Sequence, residues 1–104
     1  MSKKEALYRT LKSTLSEKIA VIHSAFEDAP ITVALVGVEP SLSIEDKLEI
    51  AFMKTNSINS GWWNNDGITP MFDGKSCRST SVGDKVLLEN GKKFVFEPNG
   101  WSEI

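Results

Sequence analysis

Between Ser2 and Asp28 the apolar residues Leu7, Leu11, Leu15, Ile19, Ile22 and Phe26 recur at steps of three or four, while Lys4, Arg9, Lys12, Ser16 and Glu17 take the opposite side. At 3.6 residues per turn this spacing gathers the apolar set into one stripe. It predicts a first helix over about 2–28, packed on the core through that stripe, with a partner-binding helix as the alternative. Ala29 and Pro30 end the pattern, because proline lacks a backbone donor and disfavours helical geometry in the residue before it.

The stretch Ile31–Val38, ITVALVGV, is nearly all apolar and rich in β-branched residues. That composition predicts a strand covered on both faces, ending near Gly37. Ser43 then precedes Ile44, Leu48, Ala51 and Phe52 at helical spacing, with Asp46 placed as the acid of an imperfect capping box. A second helix over about Ile44–Lys54 follows. Farther on, Asn90-Gly91 separates two strand-like runs and predicts a two-residue hairpin turn of type I′. In that register Glu89 opposes Lys92 and Leu87 opposes Phe94, with Val86, Leu88 and Val95 on the other face. The order of elements implies one α+β domain over residues 1–104, with two helices and a small mixed or antiparallel sheet that includes a C-terminal β-hairpin.

Composition narrows the chemistry more than the fold. The chain has 104 residues, 12 basic against 14 acidic, so its net charge of -2 supplies no global field for gathering phosphates. Cys77 is the one cysteine and His23 the one histidine. A disulfide within the chain is therefore excluded, a zinc site lacks ligands, and a reducing, cytoplasmic setting is expected. No apolar run reaches the roughly 20 residues that cross a bilayer, so no membrane partner is expected. No cofactor or metal is expected either.

Nucleophilic catalysis would need His23 as its base, yet His23 falls on the first predicted helix and no spacing ties it to Cys77. The expectation is a structural histidine and no catalytic residue. Gly74-Lys75-Ser76 ends like a P-loop but lacks the earlier glycine that would cradle phosphate. Arg78, Ser79, Thr80 and Ser81 combine a fixed positive charge with three hydroxyls, suited either to an anion or to turns and an Arg78–Asp84 pair. Val82-Gly83-Asp84 reads as a turn whose aspartate caps nearby amides. Trp62 and Trp63, adjacent in an irregular stretch, would point to opposite sides if extended, one into the core and one outward, with burial of both as a lid over the β half as the alternative.

The words TNSI, WWNNDGITP, CRSTSVGD and a terminal GW resemble a family of small proteins encoded by bacteriophages, plasmids and other mobile elements, over about residues 48–101. The motifs bring no activity with them. The resemblance implies that Asn56, Trp62, Trp63, Asn64, Arg78, Ser79, Ser81, Gly83 and Asp84 belong to one structural or binding unit. The expected function is a non-catalytic accessory protein that binds a protein partner, such as a host factor. Its surface would draw on Trp62, Trp63, Asn64, Arg78, Ser79, Thr80, Ser81, Asp84 and Trp101. The alternative is nucleic-acid binding, with bases stacked on Trp62 or Trp63 and phosphate held by Arg78, Lys75 and Lys85, which the acidic balance disfavours. A third reading places a small anion between Arg78 and Asp84. Oligomeric state is left open.

Overall fold

The computed structural model describes residues 17–57 and 61–104. It opens with strand β1 (Glu17–His23), followed by β2 (Ile31–Val38) and helix α1 (Ile44–Lys54). A single turn of 3-10 helix (Trp62–Asn64) then leads to β3 (Ile68–Pro70), β4 (Lys85–Leu87), β5 (Lys93–Glu97) and β6 (Gly100–Glu103). The strands form one antiparallel sheet in the order β3-β2-β1-β4-β5-β6. The class is therefore mixed α+β with β predominating, and α1 is the one α-helix among the described residues.

β1 corrects the first expected helix wherever that helix can be compared. Over Glu17–His23 a two-residue alternation overrides the helical spacing: Ile19, Val21 and His23 are buried, whereas Lys18, Ala20 and Ile22 are only partly so. Ile19, Val21 and Ile22 are β-branched, and a strand position central to the sheet gives them packing on both sides. Phe26, the last residue of the expected stripe, lies beyond the strand and is 76% exposed. The remainder of that helix, including Leu7, Leu11 and Leu15, lies outside the described residues.

The strand at Ile31–Val38 and the helix at Ile44–Lys54 have the bounds their sequence patterns predict. Ser43 caps α1 by accepting the Asp46 amide at 3.1 Å. Leu48 and Ala51 bury the inner side of α1 in the same core as Ile19, Val21, Ala34, Val36, Val86 and Phe94. Lys47 pairs with Glu17, which ties α1 to the start of β1. Phe52 stacks on Phe96 of β5 with ring centroids 4.3 Å apart, and Phe96 in turn meets Trp101 of β6.

Between β4 and β5 the chain reverses over three residues, Glu89, Asn90 and Gly91. Gly91 donates to Leu88 O at 3.0 Å and Leu88 donates to Lys92 O at 2.9 Å. A type I′ turn needs positive φ at both central residues, but only Gly91 has it here, at +90°. The extra residue moves the register by one, so Val86 faces Phe94 and Leu87 faces Lys93. Val86, Leu88 and Phe94 consequently share the buried face, which corrects the expected pairing of Leu87 with Phe94.

Candidate functional site

Past Pro70 the chain runs through 14 residues, Met71–Asp84, before β4 begins. Its second half is sewn along the C-terminal end of α1. Thr80 N donates to Thr55 O at 3.0 Å, Asn56 Nδ2 donates to Thr80 O at 2.9 Å, and the Ser79 hydroxyl exchanges bonds with the Ser57 backbone at 3.3 Å. From the other side the buried Trp62 indole donates its Nε1 proton to Arg78 O at 3.0 Å. These bonds hold Cys77, Arg78 and Thr80 against the end of β1, where His23 and Glu27 stand.

Arg78 is the centre of the charged part. Its Nη1 and Nη2 meet Asp84 Oδ2 and Oδ1 at 2.7 and 2.8 Å, while Nε and Nη2 meet Glu27 at 3.0 and 2.8 Å. Both carboxylates thus engage one planar fork, a geometry lysine could not supply. The exposed Phe26 ring lies over the guanidinium, 4.9 Å from its carbon to the ring centroid. Asp84 also accepts from the amides of Ser24 at 2.9 Å, Ala25 at 3.0 Å and Ser81 at 2.7 Å. Burial pushes the Asp84 carboxyl up, but the Arg78 bonds and these amides outweigh it and bring it down to about 2. The Arg78 hydrogen bonds likewise hold Glu27 below its ordinary value.

His23 forms the second part. It is buried, with Nε2 at 3.0 Å from Thr80 Oγ1 and 3.8 Å from Asp84 Oδ2. Its Nδ1 stands 3.7 Å from Cys77 Sγ. Thr80 Oγ1 continues to Thr55 Oγ1 at 2.7 Å, and Thr55 Oγ1 to Ala51 O, also at 2.7 Å. Burial lowers the His23 imidazole from its ordinary 6.5, opposed by Asp84. It raises the half-buried Cys77 thiol, opposed by Arg78. The resting pair is a neutral thiol beside a neutral imidazole.

The sequence-derived residues therefore divide. Arg78, Thr80 and Asp84 join one network, with Ser81 contributing its amide and Ser79 fastening the loop to Ser57. Trp62 is a core residue in a helical turn rather than an extended segment. Trp63 packs edge-on to it at 5.6 Å and against Phe72 at 5.5 Å. Asn64 is exposed at the end of that turn. Trp101 belongs to the separate group around Phe96, its Nε1 buried with no hydrogen-bond partner among the described residues.

Sequence reasoning passed over His23 and Cys77 as a pair because 54 positions separate them and the helical stripe hid the strand that aims His23 inward. The alternation Ile19, Val21, His23 was the available signal. Glu27 and Phe26 carried none, lying in a connection between strands.

Among the described residues, no group of three or more His, Cys, Asp or Glu side chains converges where a metal ion could be held. None of their helices is long and apolar enough to cross a membrane. No family model, curated protein or solved structure matches the chain.

Proposed function

We propose that the chain is a binding module of the accessory kind found in phages and mobile elements, engaging a protein partner through the rim around Phe26. The observation that carries this reading is an aromatic ring 76% exposed yet seated on a guanidinium that two carboxylates hold in place. Ordering a surface Phe normally costs side-chain entropy on binding, and here much of that ordering precedes the encounter. Val82, 47% exposed, adds apolar surface on the neighbouring loop. The two loops touch through the bond from Ser24 Oγ to Gly83 O at 2.9 Å. A partner suited to this rim offers an apolar pocket edged with hydrogen-bond donors for Glu27.

Two carboxylates to one guanidinium leave the cluster net negative, which weighs against phosphate or another small anion as the ligand. The burial of Trp62 weighs against base stacking there.

Capture from a bacterial lysate tests the reading, with nuclease added to half the sample. Phe26→Ala should lose the captured protein while melting like the parent, because its ring is mostly in solvent. Retention of the partner by Phe26→Ala, or loss of it on nuclease treatment, would exclude this surface or this class of partner.

A further inference from the structure

We infer that Cys77 and His23 form an acyl-accepting pair, in which Cys77 Sγ attacks the carbonyl carbon of an activated ester or thioester while His23 Nδ1 takes the thiol proton. This chemistry is separate from the binding rim at Phe26 and stands or falls without it.

Proton counting along the buried hydroxyls supports the assignment. Ala51 O can only accept, so at 2.7 Å the Thr55 hydroxyl proton points to it. In the 2.7 Å contact between the two threonines, the donor is then Thr80. With its one proton spent, Thr80 Oγ1 accepts from His23 Nε2 at 3.0 Å. Asp84 Oδ2, 3.8 Å away, favours the same placement. Neutral His23 therefore carries its proton on Nε2, and the lone pair of Nδ1 faces Cys77 Sγ at 3.7 Å. The imidazole is held in the tautomer a base requires by a chain of bonds that begins on a helix carbonyl.

The step balances within the site. A bond forms from Sγ to the acyl carbon, the bond from that carbon to its oxygen or sulfur leaving group breaks, and the proton passes from Sγ to Nδ1 and on to the leaving group. The product is an S-acyl Cys77 and neutral His23. While His23 is positive, Asp84 and Glu27 favour it and Arg78 opposes it, the three charged groups that act on the ring alongside the Cys77 thiol. Burial raises the thiol and lowers the imidazole, so no thiolate–imidazolium pair rests in the site and the proton moves to Nδ1 only as Sγ bonds to the acyl carbon.

The probe is p-nitrophenyl acetate, with nitrophenolate release followed from pH 5 to 9 and the acetyl group located by mass spectrometry. Expected is one acetyl per chain, on Cys77, and none in Cys77→Ser. The rate should rise through the range below 6.5 where His23 loses its proton, then run level to about pH 8. At pH 7 it should exceed that of the same thiol in the urea-unfolded chain on the order of 10²-fold. His23→Gln, whose amide can still donate to Thr80, should lose the level region. Should that variant not fold, the parent's profile decides alone. A rate that climbs tenfold per pH unit from 6 to 9, or one no faster than in the unfolded chain, overturns the inference.

Discussion

Arg78 and Asp84 meet through two parallel hydrogen bonds of 2.7 and 2.8 Å, and the carboxylate is wholly buried while the guanidinium keeps 27% of its side-chain surface in solvent. Removing the arginine leaves a charge without its partner in the interior. Arg78→Ala should therefore cost about 3 kcal/mol or more of folding stability in urea titrations. Arg78→Lys should recover only part of this, since an ammonium cannot span both oxygens. An alanine variant as stable as the parent would return Arg78 to the list of purely surface-binding residues.

Acid should weaken the fold in two stages. His23 has a lowered imidazole value in the folded state, so the unfolded chain binds its proton first and stability begins to fall as pH drops below 6.5. Asp84 behaves likewise at lower pH. Its contribution is present in full above its ordinary 3.8 and is lost as pH falls toward about 2, with Glu27 adding to the same stage below 4.5. Urea midpoints measured from pH 8 to pH 2 should show both stages, and His23→Gln should erase the upper one alone.

Ile19 has no exposed surface and sits in the central strand across from Val36. Ile19→Ala should destabilise the protein by about 2 to 5 kcal/mol, as truncation of a fully buried aliphatic residue does. Thermal melts would reveal it, and an unchanged transition would contradict the burial of β1.

Two glycines with similar dihedral angles should respond differently. Gly83, at φ +98°, has Ala25 Cβ 3.0 Å from where its own Cβ would lie, whereas Gly91, at +90°, has open space around it. Gly83→Ala adds a clash to left-handed strain beside the amides that hold Asp84, and should cost roughly 1 to 3 kcal/mol. Gly91→Ala should cost less, because it meets the same left-handed strain and nothing lies in its way. Equal losses in the two variants would mean that strain alone, not crowding, sets the effect.

The parts of the fold legible in the sequence are those decided by neighbours. β2 is a run of β-branched residues bounded by Pro30 and Pro40, and α1 has its serine cap and four apolar positions at helical spacing. β1 is not legible locally, because Ile19, Ile22 and Phe26 satisfy a helical period that begins earlier in the chain, while Val21 and His23 satisfy a strand. Sheet position decided between them, and that is set by β2 and β4. The turn at Asn90-Gly91 stands at the expected place in the chain, yet its length depends on where Leu88 and Lys92 close the ladder. At the site, CRSTSVGD announced the Arg78–Asp84 pair, six positions apart. Nothing local announced that Cys77 would meet a histidine 54 positions earlier in the chain.

The strand order also has a kinetic consequence. β4, β5 and β6 pair with their neighbours in sequence, as β1 does with β2, but the two groups join only where Ala20, Val21 and Ile22 meet Leu87, Val86 and Lys85. Closing that seam joins positions more than 60 apart in the chain, so the entropy of loop closure should fall on the folding barrier. A truncation at the seam, such as Val86→Ala, should slow refolding nearly in proportion to the stability it removes. Phe94→Ala, in the locally paired strands, should act mainly by hastening unfolding. Refolding should thus be timed by the three residue pairs at the middle of the sheet.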